Sequence, residues 1–237
     1  MPKTLAQYLA EQDRAVIASF LDDDWCICAA ISRSDLDWLA ERRGATVESL
    51  GEFGADEAVV VRRKGHAELW VKARAAGSVY RGAFAAFART LCDFPTSGVP
   101  AGYNVDHLFS KGRVATAGAD PDVDERLPHA TLVRMLLVDS GINQSFGGLM
   151  ESAMIGSGNP NRPYRRFTYL QLVKALSIHA NAQGGGLSGP NQAVNFAHVV
   201  EELDRRGVIA GLGMSREQML GHLISQAATV QHYRDLG

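Results

Sequence analysis

Two short apolar runs followed at once by a helix start constrain this chain more than any other feature. Residues 103–110 read Tyr-Asn-Val-Asp-His-Leu-Phe-Ser, and residues 132–138 read Leu-Val-Arg-Met-Leu-Leu-Val. Runs of this length suit strands. Beyond them Ile142, Phe146, Leu149, Met150 and Ala153 recur at helical spacing, so a helix with one apolar stripe is expected there. Ser140 is placed to be its N-cap, which leaves the Asn143 side chain available for another task. The order strand, strand, helix would gather a carboxylate (Asp106), an imidazole (His107) and an amide (Asn143) on one compact unit.

These residue types suit metal-assisted phosphodiester hydrolysis. Such a bond resists attack because its oxygens repel a nucleophile, so a catalyst must activate water and neutralise the charge that develops. An imidazole with an ordinary pKa of about 6.5 is available in neutral form to take a proton from water. Asp106 and Asn143 are hard oxygen donors suited to magnesium, which keeps several waters and accepts phosphate oxygens in its remaining positions.

The string Tyr103-x-Val105-Asp106-His107-Leu108, followed by an apolar strand and then Asn143 near a helix start, resembles the HNH, or His-Me finger, endonucleases. The similarity spans residues 98–154. It implies that His107 is the general base, that Asp106 and Asn143 bind magnesium or another divalent cation such as manganese, and that the fold contains a ββα-metal finger. Two departures stand out. The family's usual Pro after Asp-His is replaced by Ser110-Lys111-Gly112, and Arg134 occupies the register nearest the family's middle Asn. The stretch from His107 to Asn143 is also longer than a compact finger needs, which implies an inserted loop carrying the acidic run Asp120–Glu125. His129, at the end of that loop, is a candidate substitute ligand, and Glu151 a candidate group behind the site.

Each residue also has a plainer reading. A histidine beside an apolar strand is more often structural than catalytic, and Asn143 alone is an ordinary helix-start residue. Adjacent strand residues point to opposite faces, so Asp106 and His107 can serve one site only at a strand end or a bulge.

A formal net charge of −2 looks unsuited to a nucleic-acid enzyme until its distribution is considered. Between Ala58 and Cys92 the basic residues Arg62, Arg63, Lys64, Lys72, Arg74, Arg81 and Arg89 face a lone acid, Glu68. From Ser152 to Val200 acids are absent, whereas Arg162, Arg165, Arg166 and Lys174 occur. With Lys111 and Arg113 just after Asp-His, these can form a positive track for a phosphate backbone. Arg162, Arg165 and Arg166, in a Pro- and Asn-rich loop with Tyr164, are the candidates for substrate contact, together with Lys111 and Arg113. The plain alternative for residues 58–92 is a solvated basic face.

With 237 residues, 46% of them hydrophobic and 21% charged, the chain can bury one sizeable core or two small ones. Cys26, Cys28 and Cys92 suit neither a disulfide framework nor a four-ligand zinc site, so a reducing, cytoplasmic compartment is expected. No secretory signal core and no run of about 18 apolar residues is present, so no membrane insertion is expected. Export by a dedicated apparatus would leave no such mark.

Elsewhere, helices are expected over Thr4–Leu21, from Ser34 to near Gly44, over Ser78–Leu91, Thr168–Ala180, Ala193–Arg206 and Ser215–Tyr233, the last opened by a Ser215…Gln218 capping box. Ala58–Val61 and Leu69–Val71 flank Arg63-Lys64-Gly65-His66 as a β-hairpin. The Gly184–Pro190 run is a loop; with no Lys-Ser or Lys-Thr after it, a P-loop is excluded.

The sequence therefore points to an α+β protein with a small N-terminal α+β module over residues 1–95 and, over residues 96–237, a ββα-metal finger core with surrounding helices. The expected activity is that of a magnesium-dependent endonuclease on DNA, or RNA, with little sequence specificity, since no helix-turn-helix or zinc-finger reader is recognisable. Such enzymes resemble bacterial toxin, defence or phage nucleases, for which a protein partner or inhibitor is expected. The alternative is a non-catalytic module that binds nucleic acid or protein and keeps an HNH-like scaffold.

Overall fold

Residues 1–22, 26–73, 75–109, 131–150, 163–179 and 192–235 are described by the structure, a computed structural model. The first helix, α1 (Leu5–Leu21), opens with a capping box in which Gln7 N donates to Thr4 Oγ1 and Thr4 N donates to Gln7 Oε1. Two backbone N–H groups that the helix itself leaves without partners are thereby satisfied. Tyr8, Val16 and Phe20 form its buried stripe. Tyr8 stacks on Phe94 with ring centres 5.1 Å apart, while Phe20 meets Phe167 and Tyr169.

Strand β1 (Ile27–Ala30) leads to α2 (Arg33–Arg42). The N-cap of α2 is Ser32, whose Oγ accepts from Asp35 N at 3.1 Å, so the helix begins ahead of the expected Ser34. After the edge strand β2 (Thr46–Ser49) come β3 (Ala58–Arg63) and β4 (His66–Lys72), registered from Ala58↔Val71 to Arg63↔His66. The two turn residues, Lys64 and Gly65, have φ of 46° and 81°. Positive φ at both central positions marks the I′ turn that matches the twist of a hairpin. Helix α3 (Gly77–Leu91) follows.

Next come β5 (Tyr103–His107), β6 (Leu132–Asp139) and α4 (Ser140–Met150). The cap of α4 is Asp139, whose Oδ1 accepts from Gly141 N and Ile142 N at 2.9 and 3.1 Å, so Ser140 does not take the cap role expected of it. A carboxylate at a helix N-terminus also meets the positive end of the helix dipole. Strand β7 (Tyr164–Arg166) and α5 (Tyr169–Ala175) come after it. Helix α5 is shorter than expected because Ser177 adopts φ of 48°, closing the helix with Ser177 N→Lys174 O and Ile178 N→Val173 O bonds. Helices α6 (Gln192–Arg205), α7 (Val208–Gly211) and α8 (Arg216–Asp235) complete the chain. The Ser215–Gln218 capping box opens α8, with bonds of 2.7 and 3.2 Å.

The strands form a seven-stranded antiparallel sheet in the order β2-β3-β4-β6-β1-β7, with β5 also paired to β6. Thus β4, from residues 1–95, lies directly beside β6, from residues 96–237. Val133 is opposite both Val71 and Ala29, and Met135 opposite both Leu69 and His107. Strands β1 and β5 must therefore follow one another along the β6 edge that β4 does not use. Residues Leu132–Val138 of β6 are all buried. A smaller apolar cluster, with Ile27, Leu36, Leu39, Val61 and Trp70, sits under α2. Among the described residues no helix is long and apolar enough to cross a membrane.

Candidate active site at the end of strand β5

His107 is the last residue of β5, and its ring meets its neighbour: Nδ1 lies 3.2 Å from Asp106 Oδ1. Register places His107 with Met135 and Leu69 on one face, and Asp106 with Leu136 on the other. Asp106 is 4% exposed. Its second oxygen, Oδ2, is 2.6 Å from Lys174 Nζ, and the Lys174 side chain is likewise buried. Burial by itself would push the Asp106 carboxyl up. The hydrogen bond with His107 and the charge of Lys174 outweigh it and hold the group below the usual carboxylate range.

Helix α5 delivers this contact. Every residue from Leu170 to Ala175 is buried, including the polar Gln171 and Lys174, which are one turn apart. Gln171 Nε2 donates to Leu108 O at 2.7 Å, and its Oε1 accepts from Thr168 N at 2.7 Å to close the N-terminal cap. One helix face thus secures both the backbone just after β5 and the carboxylate within it. On the opposite face the Tyr80 ring of α3 lies 6.2 Å from the His107 ring. His107 Nε2 is buried and has no hydrogen-bond partner among the described residues. With a carboxylate at Nδ1, the neutral ring carries its proton there and presents a lone pair at Nε2, the arrangement a general base requires.

The other expected site residues are placed differently. Asn143 is half-buried in the first turn of α4, and among the described residues no hydrogen bond joins it to Asp106 or His107. The Tyr103↔Asp139 pair marks the α4 end of the β5–β6 hairpin and the His107↔Met135 pair the far end. That separation is about 13 Å along a strand. Lys111, Arg113, His129, Glu151 and Arg162 lie outside the described residues. Arg165 and Arg166 stand on strand β7, opposite Ala29 and Ile27, rather than in the loop expected of them. Arg166 is half-buried there, and its Nε has no hydrogen-bond partner. The pairing that makes 164–166 a strand comes from β1, which nothing local to 164–166 announces.

Arg134, in the register nearest the family's middle Asn, is 1% exposed and places Nη2 3.1 Å from Glu68 Oε1. Glu68 also accepts from Ser19 Oγ and Trp70 Nε1, each at 3.2 Å. The lone acid of residues 58–92 is thus a partner of the Arg134 guanidinium inside the protein. At the hairpin tip Arg62 pairs with Glu48 at 2.8 Å, and Arg63 and Lys64 both pair with Asp22.

The donor set decides how a divalent ion would fare. Both Asp106 oxygens already have partners, one of them a buried ammonium, and Asn143 stands apart, so the residues as placed do not fit such an ion. Among the described residues no group of three or more His, Cys, Asp or Glu side chains gathers elsewhere to hold one. What the fold and site define is an α+β protein with a Lys–Asp–His series at a strand end, its lysine and aspartate buried. No family model, no curated protein and no solved structure matches the chain.

Proposed function

We propose that this protein is an endonuclease that hydrolyses phosphodiester bonds of DNA with little sequence specificity, with His107 as its general base. The observation that carries the reading is the Asp106–His107 couple at the end of the first of two paired strands followed by a helix, with Nε2 left unpartnered. In this mechanism Nε2 takes a proton from water as the water oxygen attacks phosphorus and the bond to the 3′ oxygen breaks. Asp106 orients the ring and stabilises the imidazolium that forms, as a carboxylate behind a histidine does in other hydrolases. Lys174 keeps Asp106 anionic for that task. Magnesium or manganese, which the HNH resemblance implies, would supply Lewis-acid stabilisation of the phosphate when bound.

The test is incubation of the purified protein with supercoiled plasmid, and in parallel with RNA, in magnesium, in manganese and in chelator. Nicking by the wild type and none by His107→Ala, with DNA affinity retained, is the expected outcome, since affinity rests on phosphate contacts elsewhere. Equal nicking by His107→Ala would remove this site from the reaction. A second reading, a non-catalytic module that binds nucleic acid or protein, is favoured by one observation: the buried Asp106 carboxylate already lies against a buried ammonium and the neighbouring imidazole. Saturable DNA binding without nicking under every ionic condition would select it.

A further inference from the structure

The β3–β4 hairpin parts from the sheet before it ends. Leu69 is the last residue toward the turn that is registered with β6, opposite Met135. Further along β6 that edge is taken by a side chain, since Gln12 of α1 donates to Leu137 O and accepts from Leu137 N, each at 2.9 Å. The wedge between the diverging hairpin tip, α1, the end of α3 and residues 134–136 is a cavity of about 360 Å³. Pockets for small molecules begin at about this size.

The lining is unequal in charge. Lys3, Arg62, Arg63, Lys64 and Arg134 line it with Glu11 and Glu68, His66 beside them; Lys3 pairs with Glu11, and Arg62 with Glu48 from outside the lining. Asp22, which pairs with Arg63 and Lys64, lines an adjoining hollow instead. Arg134 is the informative member. It is 1% exposed, gives Nη2 to Glu68, and sets its guanidinium 5.5 Å from the Phe167 ring centre, while Nε and Nη1 have no hydrogen-bond partner among the described residues. Leaving buried N–H groups of a cation unpaired is costly, and an anionic oxygen would offset that cost. Tyr8, Leu69, Phe87 and Leu91 give the wall an apolar part.

We propose that this cavity binds a small organic monophosphate of mononucleotide size or less, its phosphate on Arg134 and the hairpin-tip cations and its organic body on the apolar wall. A phosphate has more acceptor oxygens than a monocarboxylate and can meet Arg134 and a hairpin-tip cation together, and the apolar part of the wall favours an organic ester over the bare ion. The site is separate from the His107 proposal, because it opens on the β4 edge of β6 and His107 lies on the β5 edge.

Titration calorimetry on the full chain with adenosine 5′-monophosphate, inorganic phosphate, adenosine and a short single-stranded oligonucleotide tests it. The monophosphate is expected to bind at one site per chain, inorganic phosphate more weakly, and adenosine not at all. Arg134→Lys keeps a charge for Glu68 but removes donors, and should weaken monophosphate binding about tenfold, the worth of one charge-assisted hydrogen bond. Ala15→Phe fills the cavity from α1 without altering any charge, and should abolish binding should Arg134→Lys prove too unstable to measure. Absence of monophosphate binding, equal binding of adenosine, wild-type affinity in Ala15→Phe, or binding confined to the oligonucleotide would each overturn the proposal. None of these readouts depends on phosphodiester cleavage.

Discussion

Two buried ion pairs sit on the same face of the sheet and do different work. Arg134–Glu68 joins neighbouring strands, and its carboxylate is further satisfied by Ser19 and Trp70. Lys174–Asp106 joins a helix to a strand, and its carboxylate is shared with a histidine whose other nitrogen has no partner. In the first pair the carboxylate meets Arg134, Ser19 and Trp70, and two buried guanidinium nitrogens have no hydrogen-bond partner among the described residues. In the second the polarity is reversed, with the unpaired atom an acceptor. A buried ion pair is weak evidence of stability by itself, because desolvation offsets much of the Coulomb gain. What distinguishes the two is the group each leaves unsatisfied, a donor suited to an anion in one and a base suited to a proton in the other.

The sharpest way to break this comparison is to remove one partner from each pair. Lys174→Met strands the Asp106 carboxylate in the interior and should cost about 3–5 kcal/mol, read from the urea midpoint, whereas Lys174→Met with Asp106→Leu should recover much of it. If Lys174→Met is neutral, water reaches Asp106 and the pair is not buried in solution. Glu68→Leu should be similarly harmful, and Arg134→Met with Glu68→Leu should restore stability without lowering any cleavage. A large loss of plasmid nicking in that double variant would move the functional weight from the Asp106 pair to this one.

His107→Ala should lower cleavage by about 10²–10⁴ while leaving the urea midpoint within about 1 kcal/mol of wild type. Loss of folding in that variant would make His107 a structural residue.

Acid separates the buried Lys174–Asp106 pair from the partly exposed one at the hairpin tip. Asp22 beside Arg63 and Lys64 is held at about 2, and Asp106 is held below the usual range. A carboxyl whose folded pKa is depressed stabilises the fold above its unfolded pKa, about 3.9, and loses that contribution as pH falls through the folded value. Stability should therefore decline from about pH 4 towards pH 2. Asp22→Asn should remove only a small part of the decline, at most about 1 kcal/mol, because solvent screens this partly exposed pair. A larger effect of Asp22→Asn than of Lys174→Met would reverse the ranking of the two regions.

The smallest effect concerns Lys64, left-handed at φ of 46° in the hairpin turn. Lys64→Gly relieves that conformation and gives up an exposed ion pair, so a net change within about 1 kcal/mol is expected by thermal unfolding.

Much of the framework was legible before any coordinates. The Ser215 capping box, the apolar stripes of α1 and α3, the β3–β4 turn and the order β5, β6, α4 rest on interactions between residues a few positions apart. Short-range chemistry of that kind is written in local sequence. Strands β1, β2 and β7 were not anticipated. Strand β2 has exposed residues at three of its four positions and no alternation, and β7 has three residues, so their pairing partners rather than their own composition make them strands. The one signal for Lys174 was a Gln and a Lys three residues apart in a helix otherwise apolar over 170–175.

The sequence by itself determined that an Asp-His pair would end a strand, that a second strand and a helix would follow, and that basic residues would be segregated from acidic ones. Only the tertiary structure decided that Asp106 would meet Lys174, that Asn143 would stand at the other end of the hairpin, that Arg134 would find Glu68, and that a cavity would open where β4 leaves β6. Local propensity acts over a few residues, whereas each of those outcomes depends on which elements pack together, and burial then sets which charges must be paired.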